Sequence, residues 1–169
     1  MPDGSQVREV VVRVGKPEDL DAVMRIARLA AAEGALLDYE EGVALQTIYE
    51  SLNLHNGIMG VIDGENGELE GTILMRIGPP WSGRTQYVEE RSIFVHPDFR
   101  AVKGGRARRL IEFAKWTAQR LDMKLMIGVL SNDRTAAKVR MYERVLGKPA
   151  GSYWLYNPHE EMTGGTTGS

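Results

Sequence analysis

One segment, residues 86–130, constrains the fold most, because its pattern predicts two strands joined by a helix. It begins with the run QYVEERSIFV at 86–95, rich in β-branched and aromatic residues, and His96-Pro97 then ends the strand. Apolar residues recur at helical spacing over 104–121, and the continuous apolar run KLMIGVL at 124–130 predicts a strand buried on both faces. Such a strand–helix–strand unit is parallel, with a right-handed crossover.

The rest of the pattern adds antiparallel strands and more helices. Two strand-like runs within residues 58–78 flank Asp63-Gly64 and Asn66-Gly67, which are hairpin turn signals. The other predicted elements are a strand at 8–14, helices at 17–34, 41–53 and 133–147, and a last short strand at 151–157. The sequence therefore predicts an α/β fold with a mixed antiparallel and parallel central sheet of about six strands, flanked by four helices.

Composition excludes several classes of protein. The 169 residues are 43% hydrophobic and 26% charged, which fits one globular domain, expected over 1–157 with a flexible tail at 158–169. The absence of cysteine excludes a disulfide framework, a thiol nucleophile and a thiolate metal site. No apolar run approaches the ~20 residues of a membrane span and the N-terminus lacks a signal-peptide pattern, so we expect a cytoplasmic protein.

Charge is distributed unevenly along the chain. Residues 1–95 carry 8 basic and 16 acidic side chains, whereas residues 96–148 carry 13 basic and 5 acidic ones. The segment VHPDFRAVKGGRARR at 95–109 places five basic side chains where a helix is predicted to begin. Because a helix N-terminus is already positive, this crowding favours a bound anion. Nucleic acid, phosphate and a phosphorylated cofactor all remain open, as does a solvated basic turn.

The residues of this loop have the chemistry of a diphosphate site. Gly104 and Gly105 permit a tight bend and a close approach of phosphate to the backbone, whose N–H groups lack partners at a helix start. Arg100, Lys103 and Arg106 can add charge-assisted hydrogen bonds. The loop therefore predicts an anion-binding cradle between the end of a strand and the start of a helix.

The order of elements and this loop together resemble the GNAT superfamily of acyl-CoA-dependent N-acetyltransferases. The resemblance spans residues 8–156 and rests on the string V-x-P-x-x-R followed by G-x-A, which Val95, Pro97, Arg100 and Gly105 match. Lys103 stands where the family usually has the first glycine of its Arg/Gln-x-x-Gly-x-Gly/Ala loop. The resemblance implies a loop that wraps the coenzyme A pyrophosphate and a strand that holds the pantetheine arm through its backbone.

A second motif lies in the segment SNDRTAAKVRMYERVLG, which resembles the family's asparagine after a strand and tyrosine on the next helix. Asn132 and Tyr142 match it, although family members often place the tyrosine about one helical turn nearer. The resemblance implies that Tyr142 protonates the leaving thiolate and that Asn132 binds the pantetheine arm or a water. The alternatives are a packing tyrosine and a helix N-cap.

Glu89 and Glu90 are the candidate bases. In the family a carboxylate near this position often takes the proton of the attacking amine. Alternation places the two side chains on opposite faces, so at most one points at the substrate, and Glu90 is preferred. The alternative is a pair of edge charges.

The resemblance also assigns a larger set of residues to coenzyme A. Backbone N–H groups near Phe94 and Val95 would stabilise the oxyanion. The full set is Phe94, Val95, Arg100, Ala101, Val102, Lys103, Gly104, Gly105, Arg106, Asn132 and Lys138.

The resemblance thus implies an enzyme that moves the acetyl group of acetyl-CoA, a cosubstrate, to a primary amine by direct attack and without a metal. His55, His96 and His159 are scattered, without the spacing of metal ligands. Two alternatives stay open: a non-catalytic module that binds acyl-CoA, and a nucleic-acid binder that uses the basic helix start. The expected partners are an acyl-CoA and an amine, not nucleic acid or a membrane, and a homodimer is open.

Overall fold

Five strands form one sheet and four helices flank it in the computed structural model, which describes residues 8–130 and 134–160. Short 3₁₀ turns lie at Pro17–Asp19 and Pro97–Phe99. The strands are β1 Arg13–Val14, β2 Gly57–Asp63, β3 Leu69–Gly78, β4 Tyr87–Val95 and β5 Leu125–Met126. The helices are α1 Leu20–Ala32, α2 Glu41–Leu52, α3 Arg106–Leu121 and α4 Thr135–Leu146.

The pairing of the strands confirms the predicted mixed α/β sheet. The order is β1-β2-β3-β4-β5; the first four strands are antiparallel, and β4 pairs parallel with β5 across the crossover through α3. The predicted hairpin at 58–78 is confirmed as β2 and β3. Its turn has positive φ at Asn66 (56°) and Gly67 (75°), as a type I′ turn requires.

Three predicted strands differ from the structure. The described residues 151–157 form no strand, so the expected sixth strand is wrong. The strand predicted at 8–14 is reduced to β1. Of the apolar run 124–130, only Leu125–Met126 forms a strand, and Met126 is 49% exposed. Burial on both faces is therefore wrong here; β5 is the last strand in the sheet order, and Leu125 is only partly buried.

The helices begin and end near their predicted bounds. Gly104 and Gly105 have positive φ (129° and 59°), which delays the start of α3 to Arg106. Asp122, also with positive φ, ends α3. In the described ranges no helix has both the length and the apolar character that a bilayer span needs.

Apolar side chains cover both faces of the sheet. α1 and α2 pack on one face of β2 and β3. α3 packs on the other face, where Leu110 and Ala114 lie with Ile73 in one cluster. Gly60 of β2 lets α3 come close, since a Cβ built there would lie 2.7 Å from the Phe113 ring. The sheet thereby fixes the position of α3, and with it the loop between β4 and α3.

Candidate active site

β4 contains a bulge at Arg91. Leu74 of β3 lies opposite Ser92. The next residue, Met75, lies opposite Glu90, so Arg91 has no partner in the register. Such an extra residue bends the strand and reverses which peptide groups face each neighbour.

Beyond the bulge, alternate peptide groups of β4 face β5. The N–H of His96 donates to the carbonyl oxygen of Glu70 on β3 at 2.8 Å. Along a strand in an antiparallel ladder, the N–H and C=O groups of successive residues face opposite neighbours. The peptide groups of Phe94 therefore face β3, as does the N–H of His96, whereas those of Ile93 and Val95 face β5. Of the two predicted oxyanion donors, Val95 is the one whose N–H has this direction.

The ladder between β4 and β5 ends early, which leaves a gap between them. Val88 and Glu89 of β4 pair with β5, and among the described residues no strand pairs with this side of β4 from Glu90 to Val95. The described residues 127–130 that follow β5 form no strand. The second half of β4 therefore has peptide groups on this side that no described strand pairs, although the Val95 carbonyl oxygen accepts a hydrogen bond from Arg100.

The carboxyl group of Glu90 lies where this gap begins. The backbone N–H of Gly128, just after β5, donates to it. Glu90 is half-buried, and burial raises the pKa of its carboxyl group from 4.5 to about 7; the negative charge of Glu89 also raises this pKa. A carboxyl group with this pKa can accept and return a proton near neutral pH.

Tyr142 of α4 interacts electrostatically with Glu90, although the two residues are distant in sequence. Burial raises the pKa of the Tyr142 phenol, and the negative charge of Glu90 raises it further. A phenol with a raised pKa stays protonated at neutral pH, so Tyr142 can act as a proton donor. Lys138 lies one helical turn before Tyr142, and residues at this spacing share a face of the helix.

Glu89 lies on the other face of the strand, as alternation predicts. It is opposite Arg76 in the register, and its Oε2 lies 3.4 Å from Nη2 of Arg91. Of the two glutamates, Glu90 is the one whose charge raises the pKa of Tyr142.

The loop after β4 presents a row of backbone N–H groups. Gly104 and Gly105 adopt left-handed backbone conformations, and a Cβ built on Gly104 would lie 2.8 Å from Cγ2 of Val10. Within the described part of the chain, the N–H groups of residues 101–108 donate to no backbone carbonyl. The first turn of α3 contains no acidic residue. Unpartnered N–H groups at a helix start are the kind of backbone surface to which anions bind in proteins.

Arg100 bonds within the protein. Its Nε donates to the Val95 carbonyl oxygen at 2.9 Å, and its Nη2 lies 2.7 Å from Oε2 of Glu33 at the end of α1. The guanidinium also stacks on Phe94, 4.9 Å from the ring centroid. The side chains of Arg100 and Glu33 are 44% and 41% exposed.

Arg106 is held more deeply. Its Nε donates to Oε2 of Glu70 at 2.7 Å, and the two side chains are only 9% and 7% exposed. Its Nη1 donates to the Lys103 carbonyl oxygen at 3.3 Å, and its guanidinium stacks on Phe99 at 4.8 Å. The guanidinium of Arg106 is thus occupied within the protein, so the group that Arg106 can offer a ligand is its backbone N–H.

The other predicted loop residues are accessible. Ala101, Val102 and Lys103 are all exposed. Asn132 lies outside the described residues.

Sequence reasoning missed several residues of this region. Gly128, which donates to Glu90, and Ile93, whose peptide groups face the gap, carry no sequence signal of their own. Glu33 and Glu70 pair with the loop arginines from distant positions. A surplus of acidic residues in the first half of the chain is the one hint that the basic loop has partners within the protein.

Comparison with known proteins identifies the class of this chain. Residues 24–148 match the model of the acetyltransferase (GNAT) family. A search of curated proteins by sequence found no match.

Solved structures share the fold. AAC(6')-Iy in complex with the bisubstrate analogue CoA-S-monomethyl-acetylneamine gives a TM-score of 0.68 at 14% identity, covering 89% of this chain and 98% of that one. A possible acetyltransferase from Clostridium difficile 630 gives 0.65 at 14% identity, covering 89% and 98%. A ribosomal-protein-alanine N-acetyltransferase from Brucella melitensis biovar Abortus 2308 gives 0.62 at 19% identity, covering 89% and 99%.

The family match and the fold define the chain as an N-acetyltransferase. It belongs to the GNAT family of acetyltransferases.

Proposed function

We propose that this chain transfers the acetyl group of acetyl-CoA to a primary amine, which attacks the thioester directly. The observation that carries the proposal is that Glu90 follows the last β4 residue paired with β5 and interacts electrostatically with Tyr142. One group can take a proton at neutral pH and the other can give one. Acylation of an ammonium group with a thiolate leaving group needs both transfers.

The loop and the gap support acetyl-CoA as the donor. The free N–H groups of residues 101–108 at the start of α3 suit a pyrophosphate. The peptide groups of Ile93, which face the β5 side of β4, suit an amide of a pantetheine arm, because buried backbone groups need partners. Lys103 is an exposed cation of this loop and can add a charge-assisted hydrogen bond.

The proposed steps use residues in distinct roles. Glu90 accepts the ammonium proton, directly or through water, and the amine nitrogen then forms a bond to the acetyl carbon. The N–H of Val95 stabilises the negative oxygen that develops. The bond from carbon to sulfur breaks as Tyr142 gives its proton to the thiolate. The second proton of the amine nitrogen then passes through water to the Tyr142 phenolate, which leaves a neutral amide, and Glu90 releases the first proton to solvent. Glu89, on the other face of β4, takes no part in these steps.

Binding and turnover test the two halves of the proposal separately. Acetyl-CoA at 100 times its Kd should stabilise the protein by ~2.7 kcal/mol in a thermal-shift assay. Release of the coenzyme A thiol is then measured with a panel of amines, and the enzyme adds no thiol background because it has no cysteine. The absence of a thermal shift at millimolar acetyl-CoA contradicts the donor, and a shift without thiol release contradicts catalysis.

The panel of amines should cover the acceptors named for proteins of this fold. It includes an aminoglycoside and a peptide with N-terminal alanine, since AAC(6')-Iy and the ribosomal-protein-alanine N-acetyltransferase share the fold. Polyamines, amino acids and small alkylamines complete it.

A further inference from the structure

The two arginines of the loop are each paired with a glutamate from another element, but the pairs differ in burial. The pair of Arg100 with Glu33 lies at the surface. The pair of Arg106 with Glu70 is almost completely buried, with side chains 9% and 7% exposed. A buried ion pair fixes geometry more strictly than a surface pair, because neither charge can be solvated by water when the pair opens.

Glu70 contacts the chain on both sides of the loop. Its carbonyl oxygen accepts the N–H of His96, where β4 ends, at 2.8 Å. Its carboxylate accepts the Nε of Arg106, the first residue of α3, at 2.7 Å. Arg8 is the other cation near the carboxylate, with Nη1 at 4.0 Å, but its side chain is 63% exposed. One residue of β3 therefore holds the two ends of the loop in a fixed relation.

Other contacts hold the same part of the loop from beneath. The Arg106 guanidinium stacks on Phe99, which belongs to the 3₁₀ turn at the loop's beginning. It also bonds the carbonyl oxygen of Lys103. Gly104 lies against Val10 so closely that it has no room for a Cβ. These contacts pack one side of the loop against the rest of the protein.

We propose that Glu70 is a positioning residue for the acyl donor: through Arg106 it holds the loop so that the N–H groups of residues 101–106 converge on the pyrophosphate. This inference rests on the proposed function, namely that the chain binds acetyl-CoA. Glu70 does not touch the donor. Its effect is to keep a backbone surface in the conformation that binds.

A direct role of the Arg106 guanidinium in binding phosphate predicts the opposite change in acetyl-CoA affinity, so the proposal can be tested. If the guanidinium were a phosphate ligand restrained by Glu70, neutralising Glu70 would release a cation toward the pyrophosphate, and acetyl-CoA would bind more tightly. If Glu70 positions the loop, the same change disorders the N–H groups, and acetyl-CoA binds less tightly.

The experiment compares Glu70→Gln with Glu68→Gln. Glu68 is a matched control, since it also pairs with an arginine, Arg25 at 3.0 Å, but at the surface and with a residue of α1 rather than of the loop. We expect Glu70→Gln to raise the Kd and KM for acetyl-CoA about tenfold, because it weakens a buried hydrogen bond to a charged group. The kcat at saturating acetyl-CoA and the KM for the amine should stay within about twofold for both variants.

A second donor separates positioning from general destabilisation. Acetyl-pantetheine lacks the pyrophosphate, so its KM should be equal in the unaltered enzyme and in Glu70→Gln. Equal losses with both donors, unchanged acetyl-CoA affinity, or tighter binding each overturn the inference. If Glu70→Gln does not fold, as judged by circular dichroism, Arg106→Lys is used instead, since it keeps the charge but loses the bond from Nε; the same donor-specific rise in KM is expected.

The outcomes also separate this inference from the proposed function. If the unaltered protein binds no acetyl-CoA, the proposed function fails and the inference fails with it. If the unaltered protein binds acetyl-CoA and Glu70→Gln binds it equally well, the inference alone fails.

Discussion

The two edges of β4 differ in how their peptide groups are used. Along the β3 edge the register continues from Tyr87 to Val95 with a single bulge. Ile73 of β3, which lies opposite Ile93, is fully buried. Along the β5 edge pairing stops after Glu89. Paired groups stabilise the sheet, whereas unpaired groups remain able to bind a ligand. Changes at the β3 edge should therefore alter stability, and changes at the β5 edge should alter chemistry.

The largest effect is expected from Tyr142→Phe on α4, which tests the chemistry on the β5 side of β4. Loss of the proton donor should lower kcat by ~10²- to 10⁴-fold, because general acid catalysis contributes that much. The ring still packs, so the Kd for acetyl-CoA and the Tm should stay unchanged. Thiol release at saturating acetyl-CoA measures the effect, and Tyr49→Phe on α2 is the control. A kcat close to that of the unaltered enzyme would exclude Tyr142 as the acid.

The corresponding change at the paired edge is Ile73→Ala. Ile73 is 0% exposed, so its truncation should lower the free energy of unfolding by ~2–5 kcal/mol. Urea denaturation measures this loss. The KM values for acetyl-CoA and amine should not change at a temperature where the variant is folded. A selective rise in the KM for acetyl-CoA with little loss of stability would contradict the separation of the two edges.

Glu90→Gln tests the stability of the protein and its catalysis, through the pH dependence of each. The pKa of Glu90 is raised from 4.5 to about 7 in the folded state, so the folded protein holds this proton more tightly than the unfolded chain does. The stability that protonation provides is complete below about pH 4.5 and is lost as the pH rises through about 7. Glu90→Gln should therefore be more stable than the unaltered enzyme at pH 8, by ~2–3 kcal/mol, with no such gain at pH 4.

The same variant should lose the pH dependence of catalysis. In the unaltered enzyme kcat/KM should rise as the pH increases through about 7, as Glu90 becomes able to accept a proton. Urea titrations across pH and pH–rate profiles give the two measurements. Identical pH–stability curves for the two proteins would show that Glu90 is not a buried titrating group.

The smallest effect is expected in the loop, from Lys103→Gly. Lys103 is exposed, so its contribution to pyrophosphate binding should not exceed about fivefold in Kd at low salt. High salt should reduce the difference, because ions screen exposed charges. Lys148→Gly, beyond α4, is the control. Unchanged or tighter binding would mean that Lys103 points away from the pyrophosphate.

The parts of the fold that local sequence determines could be predicted. Asn66-Gly67 set the β2–β3 turn through its need for positive φ. Pro97 ended β4, and the crossover rule then made β5 parallel. The alternation that separated Glu89 from Glu90 is likewise a local property of a strand.

The parts that depend on distant contacts could not be predicted. The basic loop suggested three phosphate-binding cations, but Arg106 is paired with Glu70, 36 residues away, and no local pattern records such a pair. The bulge at Arg91 and the shortness of β5 depend on neighbouring strands rather than on their own residues. A continuous apolar run indicates burial, yet it does not say where the sheet ends.

The close packing of α3 against the sheet affects how the preference for an acyl donor can evolve. A Cβ at Gly60 would lie 2.7 Å from the ring of Phe113, and one at Gly71 would lie 3.4 Å from Cδ1 of Leu110. A methyl group at Gly60 must displace the Phe113 ring of α3. If the helix moves to relieve this contact, it carries its first N–H groups with it. A mutation on β2, two strands away from β4, is thus a route by which selection can retune affinity for different acyl carriers while every residue that contacts them stays the same.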